Sequence, residues 1–477
     1  LDETDLPMQQ TQQAEKPRTH PAWLISISLS IPMFMASLDN LVVTNALPVI
    51  RTNLGATLEE LTWTVNAYTL TFASCILMSS ALADRFGRRR VFLLGIFVFT
   101  ASSAWCGISD NIGTLITART LQGIGGSAVM PLSLALLSTS VPERMRATAI
   151  GIWGGVAGLG VALGPLIGGA VVEGMTWHAI FWINVPFGLL CIPLVWFTIP
   201  ESRGRPEPLD FPGLALVGIG LFGITYGIVR GNDAGWTSLE VLTALIGGVF
   251  VLVSFIWWES RAAAPLLPLR LFSNRSFSMA NIVGFLFFFG TFGVTFILLQ
   301  FLQVVQGASP LEAGLMTMPW TLAPLIVSPL AGLLTSRVGT RPVIVVGMAL
   351  MSIGLLWIGA ILDPGVEYIY SVPLYMAAGV GMGMVFAPIA TATLQGMVPE
   401  DRATASGTNM TIRQVGIALG VATLTAIFTA LDGTLTPTGF TDAASPAILT
   451  GAAALVLGTF AAFFFPKHEH AREKTQS

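Results

Sequence analysis

Charged residues are scarce in this chain. Asp, Glu, Lys and Arg make up 10% of its 477 residues, while 53% are hydrophobic and the net charge is −3. A soluble domain carries about 25% charged residues, so a soluble enzyme or a nucleic-acid-binding protein is excluded. Cysteine and histidine are also rare. Cys75, Cys106 and Cys191 lie in apolar stretches, and none of the four histidines lies midway along an apolar run. We therefore expect no disulfide framework, metal or organic cofactor.

The chain instead contains long apolar runs. A bilayer core of about 30 Å needs about 20 apolar residues per helix. The runs are continuous rather than alternating, which favours helices over the strands of a membrane barrel. An all-α integral membrane protein with fourteen transmembrane helices is predicted. The spans lie at roughly 22–48, 60–83, 91–108, 112–139, 147–172, 178–199, 211–229, 239–258, 277–303, 310–334, 342–362, 368–395, 405–431 and 446–466.

Basic residues predict the orientation in the membrane. Of the 23 Lys and Arg residues, 19 fall on the side that carries both termini and two, Arg51 and Arg230, on the other. Cytoplasmic loops carry the excess of Lys and Arg, so both termini are expected in the cytoplasm of a prokaryotic inner membrane. The polar, acidic segment 1–21 is interpreted as a solvated tail, because a signal peptide would start basic.

Three segments occur twice. They lie at 80–89 and 332–341, at 146–151 and 402–407, and at 123–125 and 379–381, with offsets of 252 or 256 residues. Two pseudo-symmetric six-helix bundles plus an inserted helix pair are therefore predicted. The expected organisation is a cytoplasmic tail at 1–21, a bundle at 22–200, the inserted pair at 210–260, a cytoplasmic linker at 261–276, a second bundle at 277–466 and a cytoplasmic tail at 467–477. Duplicated bundles suit a transporter, because two halves can rock about a site between them.

Several motifs also resemble those of a known family. Residues 80–89 are similar to the signature of the major facilitator superfamily, with Ser80 in place of its first glycine. Further segments resemble the fourteen-helix drug:proton antiporter branch, although His178 stands where that branch usually has arginine. These segments are 38–48, 119–126, 160–169, 177–186, Asn409 and 413–416. The resemblance implies a monomeric, proton-driven exporter of drugs or antibiotics.

Two charged residues within spans are the candidates for proton coupling and substrate binding. A carboxylate at the depth of Asp39 costs at least about 2.5 kcal/mol, so it should face a cavity or a partner. Asp39 is predicted to bind a proton or a cationic group of the substrate; the alternative is a fixed hydrogen-bond network. Arg119 is a permanent positive charge that can hold a carboxylate ionised. The resemblance suggests a coupling role for Arg119, and a structural anchor is the alternative.

Two motifs carry conformational expectations. In the family the loop Asp84, Arg85, Gly87, Arg88 and Arg89 works as a cytoplasmic gate, with its aspartate near a helix N-terminus of the second half. The fifth span carries the antiporter motif. Small residues at that spacing allow a tight helix crossing, and the proline can bend the helix. The motif residues are Gly160, Gly164, Pro165, Gly168 and Gly169.

A set of polar and aromatic side chains could line a cavity, although those at span ends also suit the membrane interface. The candidates are Trp63, Tyr68, Gln122, Asn281, Gln300, Trp320, Asn409 and Arg413. No carboxylate lies deep in the second half, which favours neutral or monocationic apolar substrates.

The first interpretation is a proton-coupled antiporter that exports hydrophobic or amphiphilic small molecules, with no cofactor beyond the coupling proton. Its partners would be the substrate, protons and membrane lipids, and no nucleic acid. Three alternatives remain: an exporter of lipids or cell-envelope precursors, a nutrient symporter, and a non-transporting sensor or scaffold.

Overall fold

The computed structural model describes residues 21–203, 210–398, 401–434 and 436–466. Both predicted tails, apart from Pro21, lie outside these ranges. The described residues form helices and no strand, so the predicted all-α fold is confirmed. Seventeen α-helices follow one another, and a 3₁₀ helix at Leu269–Ser273 precedes the tenth. They are α1 Ala22–Leu54, α2 Leu58–Phe86, α3 Arg88–Cys106, α4 Ile112–Ser140, α5 Glu143–Gly174, α6 Ala179–Trp182, α7 Asn184–Thr198, α8 Phe211–Ala234, α9 Leu239–Glu259, α10 Arg275–Val304, α11 Pro310–Met316, α12 Met318–Thr321, α13 Ala323–Val338, α14 Thr340–Ile361, α15 Tyr368–Leu394, α16 Arg402–Ala430 and α17 Pro437–Ala462.

The helices have the dimensions of membrane spans. In the described part of the chain, thirteen helical stretches are long and apolar enough to cross a membrane. At the remaining predicted span lies α5, a helix of 32 residues whose described apolar stretch is Leu163–Gly174. Two spans are broken into pieces: α6 and α7 form one, and α11, α12 and α13 form another. The chain is therefore a multi-pass membrane protein.

Local sequence fixes several helix ends. Thr57 and Glu60 form a reciprocal capping box at the start of α2, and Ser309 and Glu312 form another at the start of α11. Such caps satisfy backbone N–H groups that have no partner inside the helix. Gly55 ends α1 with a φ of 63°, a left-handed conformation that glycine adopts without steric cost. The polar residues between apolar runs thus place the turns.

The repeat in the sequence is a repeat in packing. In the first half, α1 packs on α5, α2 on α4, and α3 on α4 and α7. In the second half, α10 packs on α16, α13 on α15, and α14 on α15 and α17. A Cβ on Gly123 would overlap the carbonyl oxygen of Tyr68, and one on Gly379 would overlap that of Trp320. The same close helix crossing therefore occurs at an offset of 256 residues along one helix and 252 along its partner.

The two helices between the halves pack on each other, and α8 also contacts α2 and α16. Asn232 of α8 donates a hydrogen bond to the carbonyl of Ala426 in α16. At one end of α8, Asp210 accepts hydrogen bonds from the Gly213 backbone and from the Trp258 indole, both at 2.8 Å. These contacts hold the pair against both halves, at the side of the bundle.

The halves meet along two further seams. On one, α2 packs on α16, and on the other α5 packs on α11. We call the end of the bundle with the α1–α2 turn the Gly55 end, and the end with the α2–α3 turn the Gly87 end. Helices α1 and α10 also contact each other between these seams. The space enclosed by the four helices is where the candidate site lies.

Candidate functional site

The centre of the site is an ion pair inside the first half. Asp39 of α1 and Arg119 of α4 are 2% and 1% exposed, and the guanidinium Nη1 donates to the carboxylate Oδ2. Arg119 also donates from Nε to the carbonyl of Thr64, at 3.3 Å. A buried charge needs a partner and further hydrogen bonds, and each of these groups has both. The two candidates for proton coupling are therefore in direct contact.

Two amides complete the carboxylate's partners. Gln122 and Asn184 each donate to Asp39 Oδ1 at 3.0 Å, and Gln122 Oε1 accepts from Arg119 at 2.8 Å. Asn184, at the start of α7, also donates to the hydroxyl of Ser103 at 3.1 Å. Asp39 thus joins four helices of the first half through hydrogen bonds. These bonds favour its ionised form over the protonated one.

A cavity borders this ion pair. The guanidinium carbon of Arg119 lies 4.3 Å from the ring centroid of Tyr68, and both residues line the cavity. Its opposite wall comes from the second half, through Phe292 and Thr295 of α10 and Ile417 of α16. The space beside the charged pair is therefore shared by the two halves.

A second cavity continues into the second half. It also contains Phe292 and Thr295, together with Trp320, Thr321 and Pro165. The two cavities therefore adjoin, with Tyr68 on one and Trp320 on the other. These residues occupy equivalent positions in the repeat, 252 residues apart.

The remaining predicted lining residues are spread more widely. Asn409 donates to Asn281 Oδ1 at 3.0 Å, and this pair joins α16 to α10. Gln300 is buried and donates to the Phe296 carbonyl of its own helix.

Trp63 and Arg413 lie in different surroundings. Trp63 stacks with Phe222 and Tyr226 of α8, on the side of α2 that faces the inserted pair. It does not line either described cavity. Arg413 lies against two rings of the second half, Phe288 and Phe386.

The predicted gate motif packs onto the end of α7. Arg88 donates to Asp84 at 2.8 Å, and the Arg89 backbone donates to the carboxylate of Glu201 at 3.0 Å. That carboxylate lies at the N-terminus of α3, where a negative charge is favoured. Gly87 has a φ of 112°, and a Cβ there would lie 2.8 Å from Glu201. Arg85 is exposed on the same turn. The expected contact of Asp84 with the second half stays a prediction.

The predicted antiporter motif forms two close crossings. A Cβ on Gly160 or on Gly168 would meet the α1 backbone at about 3 Å. Gly164 is buried in the same segment. On a different face of α5, a Cβ on Gly169 would overlap the carbonyl of Pro310 in α11. The motif thus packs α5 tightly against its own half and against the other half.

Near Pro165, one asparagine ties the halves together at the Gly55 end. Asn45 Nδ2 donates to the carbonyl of Pro165 at 2.7 Å and to that of Pro310 at 2.9 Å. Gln303 in turn donates to both oxygen atoms of Asn45. Because a helix proline leaves a carbonyl one turn earlier without its usual N–H, polar side chains are often needed near such sites. The result is a closed seam between α1, α5, α10 and α11.

Sequence reasoning gave no role to Asn184, Ser103, Asn45, Gln303 or Glu201. A signal was present for the first four, since each is a polar residue inside an apolar run. Glu201 gave a weaker signal, because it lies in a loop where acidic residues are ordinary.

A duplicated helical bundle with a charged pair beside a cavity between its halves is the architecture of a membrane transporter. The sequence model of the Major Facilitator Superfamily matches residues 29–421 and 280–477. The chain belongs to this superfamily, and it is therefore a transporter and not an enzyme.

Relatives with printed functions are exporters. The chain is 35% identical over 417 residues to multidrug resistance protein Stp of Mycobacterium tuberculosis, covering 87% of this chain and 77% of that protein. It is 32% identical over 428 residues to the tetracenomycin C resistance and export protein of Streptomyces glaucescens, covering 89% and 79%. A bacterial homologue of the lysosomal transporter Spinster, solved in an inward-facing conformation, has a TM-score of 0.65 at 16% identity, covering 93% and 96%. This last likeness concerns the fold alone.

Proposed function

We propose that the chain is a proton-coupled antiporter that exports hydrophobic and amphiphilic small molecules by alternating access. The observation that carries this proposal is the ion pair of Asp39 and Arg119 at the wall of a cavity shared by both halves. The names of the relatives support drugs or antibiotics as the substrate class. The Gly87 end is proposed to face the cytoplasm of a prokaryotic cell, with both termini on that side.

The coupling step follows from charge. Arg119 keeps its proton under all cell conditions, so Asp39 is the member of the pair that can accept one. Protonation of Asp39 removes the charge that holds Arg119, and the hydrogen bonds across α1, α4 and α7 weaken together. A change of that size in one half can shift the balance between two arrangements of the bundle. Substrate and proton would then use the same cavity in turn.

The closed seam supplies the conformational part of the proposal. Asn45 and Gly169 hold α1 and α5 against α11 at the Gly55 end. Alternating access requires this seam to open while contacts at the Gly87 end close. The seam consists of a few hydrogen bonds and close backbone contacts rather than ion pairs, which suits a contact that must break in each cycle.

The test uses everted membrane vesicles with an imposed pH gradient and an internal pH dye. Amphiphilic drugs, dyes and labelled lipids are added to vesicles with the wild type or Asp39→Asn. We expect substrate-induced proton release in the wild type and none in Asp39→Asn at equal expression. The matched control is Asp363→Asn, an exposed aspartate in the α14–α15 turn, which should behave as the wild type.

Two results would contradict the proposal. Full proton-linked export by Asp39→Asn would remove this residue from the coupling step. Transport of labelled lipid without proton movement would favour the alternative of a lipid exporter, and uptake in the direction of the proton gradient would favour a symporter.

A further inference from the structure

Arg413 is a second guanidinium inside the bundle, and its surroundings differ from those of Arg119. Its guanidinium carbon lies 4.3 Å from the ring centroid of Phe288 and 5.4 Å from that of Phe386. Among the residues that the structure describes, Arg413 forms no ion pair, whereas Arg119 is paired with Asp39. The rings attract the cation but accept few of its N–H groups. Arg413 therefore has donors left for another group.

The charge balance of the spans points the same way. Asp39 and Arg119 cancel each other, and the other acidic residues of the described spans lie at or near span ends. Arg413 thus leaves one net positive charge within the bundle. An arginine at that depth costs at least about 2.5 kcal/mol, and residues of this kind usually mark a substrate or ion pathway.

The position of Arg413 on α16 places it beside the central cavity. Met410 packs against the core of the first half, while Ile417 and Val421 line the cavity that contains Tyr68 and Arg119. Residues three or four apart share one face of a helix. Arg413 therefore lies on the face of α16 that is turned to the first half, one turn from the cavity.

An aromatic surface connects Arg413 with that cavity. The ring of Phe288 stacks on that of Phe292 with centroids 5.8 Å apart, and Phe292 lines both described cavities. An apolar body next to Phe292 could thus extend over Phe288 until its polar end meets the guanidinium. Arg413 is half-buried rather than enclosed, which leaves its head open to such a group.

We propose that Arg413 binds a single anionic group, a carboxylate, of an amphiphilic substrate whose apolar body occupies the cavity beside Phe292. A guanidinium holds a carboxylate through paired charge-assisted hydrogen bonds, and the rings contact the adjoining apolar atoms. This inference rests on the proposed export function and names its substrate class. It replaces the expectation of neutral or monocationic substrates, which considered only the absence of carboxylates in the second half.

The experiment measures binding rather than transport, in purified protein reconstituted in lipid nanodiscs. The probes are N-dansyl-phenylalanine, which carries a carboxylate, and its carboxamide, which is neutral and otherwise the same. We expect the wild type to bind the carboxylate about tenfold more tightly than the amide, as a hydrogen bond to a charged group provides. Arg413→Gln should remove this preference by weakening the carboxylate alone, and Arg413→Lys should keep part of it.

The matched control is Arg261→Gln. Arg261 also lies over a ring, 4.2 Å from the centroid of Trp257, but it is exposed beyond the end of α9. Its replacement should leave both affinities unchanged.

Equal affinities of the wild type for the two probes would overturn the inference, and this comparison needs no variant to fold. An equal loss for both probes in Arg413→Gln would also overturn it, because the arginine would then only support the rings. The assay uses no pH gradient. A carboxylate preference without proton release in vesicles would keep the subsite and reject antiport, and the reverse result would reject the subsite alone.

Discussion

The carboxylate of Asp39 accepts a hydrogen bond from the guanidinium of Arg119, which lies 80 residues further along the chain. Both groups are buried, so each one depends on the other for compensation of its charge. Gln122 and Asn184 hold the carboxylate from two more directions. The ion pair is thus both a structural tie of the first half and the group best placed to respond to a proton.

The mutual dependence predicts a coupled loss of stability. Arg119→Gln leaves a buried carboxylate without its cation, and breaking such a pair costs about 3–5 kcal/mol of the free energy of unfolding. Asp39→Asn together with Arg119→Gln leaves no uncompensated charge, so the double variant should recover part of the loss. The melting temperature in detergent, followed by tryptophan fluorescence, measures both. If the double variant is as unstable as the sum of the single ones, the pair is not coupled.

The seam at the Gly55 end should loosen when Asn45 is shortened. Asn45→Ala removes two donors to the carbonyls of Pro165 and Pro310 and an acceptor for Gln303. We expect faster hydrogen–deuterium exchange at the C-terminal part of α5 and in α11. The matched control is Asn232→Ala, which also removes an amide bond to a helix carbonyl, but between α8 and α16. Unchanged exchange in α5 and α11 would show that packing alone closes this seam.

Close backbone contact across the same seam predicts a strong dependence on side-chain size. Gly169→Val places atoms where the Pro310 carbonyl lies, whereas a Cβ on Gly174 of the same helix meets nothing within 4 Å. Overpacking at Gly169 should cost about 1–3 kcal/mol of the free energy of unfolding and should impair transport. Gly174→Val should stay within about 0.5 kcal/mol of the wild type. Equal melting temperatures for the two variants would contradict the close crossing.

Two tryptophans separate lining from packing. Trp320 lines a cavity between the halves, whereas Trp63 stacks on Phe222 and Tyr226 of the inserted pair. Trp320→Ala should weaken the apparent affinity for an exported dye about tenfold, since burying an aromatic side chain contributes about 1.5–3 kcal/mol. Trp63→Ala should lower the melting temperature and leave that affinity unchanged. A larger affinity loss for Trp63→Ala would place the substrate beside α8 instead.

Individual features of the site could be predicted from the sequence to different depths. Asp39 and Arg119 were both selected, because a charge within an apolar run is costly and therefore informative. Asn184 and Asn45 were not given a role, because a single amide in an apolar run carries a smaller cost and fits many environments. Trp63 was grouped with Trp320, since composition does not distinguish the face of a helix that meets a cavity from one that meets another helix.

The sequence by itself determined the fold class and the duplication. Apolar runs of span length and segments repeated at 252 and 256 residues are properties of contiguous residues, and the solvent preference of such runs needs no knowledge of the partner helices. The turns followed too, because capping residues such as Thr57 act within four positions.

Only the tertiary structure decided which distant groups meet. The rotation and tilt of each helix are set by packing against its neighbours, and a rotation of one residue moves a side chain by about 100° around the helix. That rotation brings Asn184 to Asp39, Glu201 to the start of α3, and Asn45 to the carbonyls of two other helices. It also leaves Arg413 against aromatic rings instead of a carboxylate, which no pattern along the chain could indicate.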